Sequence, residues 1–194
     1  MLDDLQLKIF STGILDTNAY LVFNPKTKDC FVVDCPRPIA ECRDFIWDNN
    51  LKLKFILLTH GHFDHIDGLP EFLKEFPAPF YIHSADGFAL GVKEQPIFFK
   101  DEGEVLFKKN KLKIIQTPGH TRGSVSILLG QWLFSGDTLF YHSVGRTDLD
   151  GGDMEQLKNS IKNKLFILNP KTIVYPGHGE QTSIGEEIKN NPFV

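Results

Sequence analysis

The chain of 194 residues has no uninterrupted apolar stretch approaching the length of a transmembrane helix, so no membrane span is expected. It has no cluster of lysine and arginine, and its net charge is -4. That balance argues against a nucleic-acid surface. The first residues, Met1-Leu2-Asp3-Asp4, are acidic and lack the basic-then-apolar pattern of a secretory signal. Cysteine is sparse. Cys30, Cys35 and Cys42 are an odd number in a medium-sized chain, which argues against a disulfide framework and for a reducing cytoplasm. No linker, low-complexity segment or close internal repeat interrupts the sequence, so residues 1–194 read as one domain with a sizeable core. Hydrophobic residues at 41% and charged residues at 24% make an ordinary soluble balance. Phenylalanine is plentiful, with 17 copies; most suit a core and some could line a pocket.

Apolar patterning predicts strands at 5–10, 18–24, 30–33, 54–58 and 80–82, and again at 111–116, 125–129, 132–134 and 172–175. Helices are predicted at 36–50, 69–76, 84–90 and from Asp153, a plausible N-cap, to about Leu165. The turn Asn24-Pro25-Lys26-Thr27 predicts a hairpin between its neighbours, and Gly130-Gln131 predicts another. The stretch 91–104 has no clear pattern, and residues 94–99 read as a loop with an apolar tip. Strands in both halves with helices between them imply a layered α/β domain, two sheets with helices outside.

Ligand-type side chains concentrate where strands end. Thr59-His60-Gly61-His62-Phe63-Asp64-His65 directly follows the apolar run Phe55-Ile56-Leu57-Leu58. Packing gives no reason for such a cluster, because buried polar groups without partners are costly. His60 and His62 are two apart, which in extended chain puts both on one face and allows them to share a metal. Asp64 and His65 come after the chain begins to turn and can aim at a second metal. His120, Asp137 and His178 each follow a predicted strand and each has a glycine directly before it or one residue away. Imidazole and carboxylate suit a borderline metal such as zinc. Two metals about 3.5–4 Å apart need a bridging ligand, and Asp137, isolated in a Ser-Gly-Asp turn, is the candidate.

Those residues, in that order, resemble the metallo-β-lactamase fold superfamily from about Leu5 to Val194. Within it, Gly136-Asp137-Thr138-Leu139-Phe140, Gly145-Arg146-Thr147-Asp148 and Asn191-Pro192-Phe193-Val194 resemble the short, single-domain bacterial type of glyoxalase II (hydroxyacylglutathione hydrolase). The resemblance implies an αββα four-layer sandwich without the C-terminal helical domain of full-length glyoxalase II. It implies His60, His62, His120 and Asp137 on one divalent metal ion and Asp64, His65, His178 and Asp137 on the other, with Asp64 and Asp137 the catalytic carboxylates. Zinc is the expected metal, with iron or manganese as alternatives. Asp34 stands where the family often has an aspartate hydrogen-bonded to a ligand histidine; a cap for the following helix is the other reading. The larger enzymes carry a lysine and a tyrosine in the loop after the bridging aspartate, where this chain has Arg146 and Asp148. Arg146 would hold a substrate carboxylate or pair with Asp148 or Asp150. His142 would line the pocket or stand in solvent. Cys35 reads as a buried thiol near the rim.

The implied reaction is hydrolysis of a small-molecule thioester such as S-lactoylglutathione by a metal-bridging hydroxide. A thiol of pKa about 8.5 leaves without a strong acid. The alternative is a mononuclear iron persulfide dioxygenase, which shares the fold and a Gly-Arg-Thr-Asp stretch. Nucleic-acid processing and a non-catalytic metal-binding module are the remaining classes. No membrane or nucleic-acid partner is expected, and the oligomeric state is left open.

Overall fold

Alternation of side-chain direction along the strands sets up the layers. The structure, a computed structural model, describes residues 4–87, 90–100 and 102–194. Its strands are β1 (Gln6–Thr12), β2 (Thr17–Phe23), β3 (Asp29–Val33), β4 (Lys52–Leu57), β5 (Phe80–Ile82), β6 (Ile97–Phe98), β7 (Glu104–Phe107), β8 (Asn110–Gln116), β9 (Val125–Leu129), β10 (Trp132–Gly136), β11 (Leu139–Phe140), β12 (Ser143–Val144), β13 (Ile173–Pro176) and β14 (Thr182–Ser183). Its helices are α1 (Ala40–Asp48), α2 (Phe63–Ile66), α3 (Leu69–Glu75), α4 (Met154–Ser160) and α5 (Ile184–Asn190). Among the described residues, one six-stranded sheet runs β1-β2-β3-β4-β5-β6 and another β14-β13-β10-β9-β8-β7; β11 and β12 form a small hairpin.

Each central strand sends alternate side chains to opposite faces. Leu21, Val32 and Ile56 join the core beneath α1 and α3, with Ile46 and Phe72 from those helices. Val22, Phe31 and Leu57 point the other way and meet Leu112, Ile127 and Phe134 of the second sheet. Leu133 and Val174 leave that sheet on its far side, against Leu157 of α4 and Ile184 of α5. The result is helix, sheet, sheet, helix, an αββα sandwich. The inner layer is rich in aromatic rings, with Phe31 stacked on Phe55 at 5.2 Å and edge-on to Phe107 at 4.9 Å. Burying each such ring stabilises the fold by about 1.5–3 kcal/mol. Because β2, β3 and the second half of β4 are buried on both faces, residues 20–23, 30–33 and 55–57 read as continuous apolar runs rather than alternating ones. No described helix is long and apolar enough to cross a membrane.

Several elements differ from the sequence pattern. The helix predicted over 36–50 starts at Ala40, because a residue before proline is disfavoured in helical geometry and Arg37 precedes Pro38. The helix predicted over 84–90 is a single 3-10 turn, Ser84–Asp86; residues 88 and 89 of that prediction lie outside the described residues. The apolar tip at 94–99 contains β6, which pairs parallel with β5. Asp153 does cap its helix, its Oδ1 accepting from Gln156 N at 3.0 Å, and α4 runs on into a π-helical turn, Ile161–Leu165. The β11–β12 hairpin and α5 carry no strong periodic signal in the sequence.

Candidate metal centre

The ligand-type residues emerge at the carboxyl ends of strands. β4 and β13 are parallel members of their sheets; the loop after β4 carries His60 and His62 and leads into α2, which carries Asp64 and His65, and the loop after β13 carries His178. The loop after β8 carries His120, and Asp137 follows Gly136, the last residue of β10. Open α/β sheets commonly place sites at this edge. Seven residues meet there in overlapping groups: His60, His62 and His120; His60, His65 and Asp137; and Asp64, His65 and His178. Within each group the donor atoms lie within 4.8 Å of one another. These are the seven ligand candidates read from the sequence. The structure brings all of them together.

Asp137 stands between the groups. Its Oδ1 is 3.3 Å from His65 Nε2, and its Oδ2 is 3.4 Å from both His120 Nε2 and His178 Nε2. Close backbone approach makes room for it. A Cβ on Gly177 would sit 2.1 Å from Asp137 Oδ1, so only glycine fits at that position. Asp64 Oδ2 is 3.3 Å from His178 Nε2 and accepts from Thr17 Oγ1 at 3.1 Å.

Hydrogen bonds behind the rings fix which nitrogen faces inward. His65 Nδ1 donates to Asp34 Oδ2 at 2.8 Å, His120 Nδ1 to Arg146 O at 2.7 Å, and His178 Nδ1 to Leu15 O at 2.9 Å. Thr59 Oγ1 donates to Asp34 Oδ2 at 2.8 Å and so can accept from His60 Nδ1, 3.1 Å away. Each leaves Nε2 turned into the centre, where it offers a lone pair to a metal once its own proton is lost. His62 instead faces inward through Nδ1, 2.8 Å from His120 Nε2.

Two buried polar atoms of this cluster, His60 Nε2 and Asp137 Oδ1, have no hydrogen-bond partner. Such atoms cost roughly 1–3 kcal/mol each unless something satisfies them. Burial opposes charge on His65, yet the carboxylates of Asp137 and Asp34 hold its pKa well above the ordinary value. Burial also opposes ionisation of Asp137, and the charge of His65 with the close contacts of His178 and His65 overcomes it, holding the carboxyl well below its usual range. His178 follows the same pattern: burial works against its charge, but Asp137 and Asp64 raise it to about 10. His60, by contrast, is driven well down by burial and then by the charge of His65. Ionised carboxylates drawing positive charge into a buried imidazole cluster fit a divalent metal.

The other residues singled out from the sequence lie around this cluster. Arg146 contributes its backbone carbonyl to His120, while its exposed guanidinium forms two hydrogen bonds to Asp148, at 2.8 and 2.7 Å. His142 stacks on Tyr141 and meets Glu186 Oε1 through Nε2 at 2.8 Å. Neither side chain joins the donor set. Cys35 is buried, and its N–H donates to His65 O at 2.8 Å. Sequence reasoning missed Asp86. This buried carboxylate accepts from Gly61 N at 3.0 Å, Thr121 Oγ1 at 2.6 Å and Gly123 N at 2.9 Å. It thereby ties the loop of His60 and His62 to the loop of His120.

Comparison with known proteins identifies a family. The Metallo-beta-lactamase superfamily matches residues 12–178. Hydroxyacylglutathione hydrolase GloC of Haemophilus influenzae is 30% identical over 209 residues, covering 98% of each chain. Among solved structures, BLEG-1 B3 metallo-beta-lactamase superposes with a TM-score of 0.87 at 34% identity, covering 97% of this chain and 99% of that one. TTHA1623 in a di-iron-bound form gives 0.82 at 32%, covering 96% and 100%. ETHE1 from Myxococcus xanthus gives 0.85 at 29%, covering 96% and 83%. With the family matched over most of its length and its αββα layers in place, the chain belongs to the metallo-beta-lactamase superfamily.

Proposed function

We propose that the chain hydrolyses thioesters, acyl-thiols such as S-lactoylglutathione, using a pair of divalent metal ions. His60, His62, His120 and Asp137 would hold one ion; Asp64, His65, His178 and Asp137 would hold the other. The observation that carries this reading is the position of Asp137, with one oxygen 3.3 Å from His65 and the other 3.4 Å from His120. A carboxylate facing both groups suits a bridge. Zinc is the metal proposed; iron and manganese take the same donor types, and the di-iron form of TTHA1623 supports a two-metal centre in a relative of full coverage.

When bound, such a pair supplies hydroxide near neutral pH and stabilises charge developing on a carbonyl oxygen. The protein's own residues orient that chemistry. Asp34 holds His65, the Arg146 carbonyl holds His120 and the Leu15 carbonyl holds His178. Thr17 fixes the rotamer of Asp64. Asp86 keeps the His60–His62 and His120 loops at a constant spacing. Because a thiolate of pKa about 8.5 departs without a proton, these residues need only bind and orient.

The name of GloC supports an acyl-glutathione as substrate, and that of BLEG-1 makes a β-lactam the natural control. The test is a panel of glutathione and non-glutathione thioesters beside a β-lactam, on protein whose metal has been quantified. Thioester turnover well above that of the β-lactam is expected; turnover of the β-lactam alone would overturn the assignment. A second reading, one iron and oxygen chemistry on a persulfide, draws support from the likeness to ETHE1. Oxygen uptake with glutathione persulfide, in protein holding one iron per chain, would replace the first reading with the second.

A further inference from the structure

An apolar patch borders the candidate centre on the side of Asp64. Ile14 is 94% exposed, Phe63 62% and Leu15 48%. All three line one cavity of about 370 Å³ that also includes Pro36, Pro38 and Asp64. That volume falls within the range of small-molecule sites, about 300–1,000 Å³. Clustered apolar side chains left in water mark a contact surface. Arg37 and Asp67 also belong to the lining; Arg37 pairs with Glu71 at 3.0 Å, and its backbone N–H donates to Asp67 Oδ1 at 2.8 Å.

The turn that carries Ile14 and Leu15 is fastened to the centre. Leu15 lends its carbonyl to His178 Nδ1 and its side chain to the cavity wall. Thr17 donates to Asp64, and Asn18 N donates to Gly177 O at 2.7 Å. Phe63 lies between His62 and Asp64 in the chain. A group resting on this wall is therefore held beside the reacting centre. A second cavity of about 300 Å³ reaches the centre through His62 and is bordered by Asp86, Thr121, Arg122 and Asp150, a more polar lining. The two flanks of the centre thus differ in chemistry.

Building on the thioesterase reading, we propose that the cavity of Ile14, Leu15 and Phe63 receives an alkyl arm of the substrate, so that thioesters with such an arm are preferred over wholly polar ones. The arm can belong to the acyl half or to the thiol half, which present the same hydrocarbon to the wall. Two series distinguish them: N-acetylcysteamine thioesters of acetic, butyric and hexanoic acids, and acetyl thioesters of ethane-, butane- and hexanethiol. In the series whose chain enters the cavity, kcat/KM rises about fourfold per methylene until the cavity is filled. That slope flattens in Ile14→Ser and Phe63→Ser and is kept in Ile14→Leu. Binding of S-hexyl-N-acetylcysteamine, a thioether that resists hydrolysis, is followed by calorimetry on the same proteins and weakens in both serine variants. Hydrolysis with no chain-length dependence in either series, and unchanged thioether binding in the variants, overturns the proposal and leaves the thioesterase reading standing. Thioether binding that weakens in the serine variants, without turnover of any thioester, overturns that reading and keeps the apolar subsite. Weaker self-association of Ile14→Ser in sedimentation, with an unchanged slope, assigns the patch to a second copy of the chain and overturns the proposal.

Discussion

Replacing Asp34 by asparagine isolates one carboxylate oxygen at the back of the candidate centre. Asp34 is 1% exposed. Its Oδ1 accepts from Thr59 N at 2.8 Å, and its Oδ2 accepts from Thr59 Oγ1 and from His65 Nδ1, each at 2.8 Å. Its backbone φ is 60, a conformation that asparagine tolerates well, so the backbone is not perturbed. Asparagine has one acceptor oxygen and one NH2. With the oxygen placed toward His65, the NH2 faces the Thr59 N–H, donor against donor. The reverse orientation loses His65 instead. At least one buried donor is left unsatisfied either way, costing about 1–3 kcal/mol, and the bond to His65 is weakened or lost at a similar cost. The expected loss is roughly 2–4 kcal/mol, on the order of 5–15 °C in Tm for a chain of this size. Metal affinity should fall about 10–100-fold, because the His65 ring is no longer held in one tautomer and orientation. Thermal melts of chelated protein and competition with a chromophoric chelator measure the two effects separately. A variant that melts within about 2 °C of wild type and keeps its metals equally well refutes the role assigned to Asp34.

Three further outcomes are expected. Asp86→Ala removes the acceptor shared by Gly61, Thr121 and Gly123, so stability should drop by about 2–4 kcal/mol and metal titration should show weakened binding at the three-histidine group; an unchanged titration would mean that the loops hold their spacing without it. Gly177→Ala puts a Cβ about where Asp137 Oδ1 lies, and metal analysis of whatever protein folds should find the pair of ions lost; a variant with full metal content would show that the loop can shift at little cost. Asp29 is buried, which works against its charge, but Lys108 and Lys54 outweigh this and lower its pKa to about 2. A depressed carboxylate stabilises the fold above its ordinary pKa and loses that contribution as pH falls. Asp29→Asn should therefore cost roughly 1 kcal/mol near pH 7, both lysines being about half exposed, and the difference from wild type should close between about pH 4 and 2. Urea melts across that range check it.

The donor cluster was legible because seven ligand-type residues after strand ends have no packing explanation. The two-sheet core was legible because runs such as Phe55-Ile56-Leu57-Leu58 are apolar on both faces. Asp86 was not legible. It lies in a stretch patterned like a helix, and its partners, Gly61 and Gly123, are 25 and 37 residues away in the chain. Arg146 and Leu15 act on His120 and His178 through backbone carbonyls, which every residue type carries, so no side-chain signal announces them. The β1–β2 turn looks like an ordinary hairpin loop until the fold sets Ile14 and Leu15 beside Asp64. Short elements such as β11, β12 and β14 span two residues each, too few for any period to show.

Titration of the metal-free protein with zinc, following thioester turnover and bound metal together, tests the two-metal centre most directly. Turnover should climb with the second equivalent and level off at about two ions per chain, the stoichiometry that a bridging Asp137 requires. Full activity at one equivalent, or turnover that survives complete removal of metal, would contradict it.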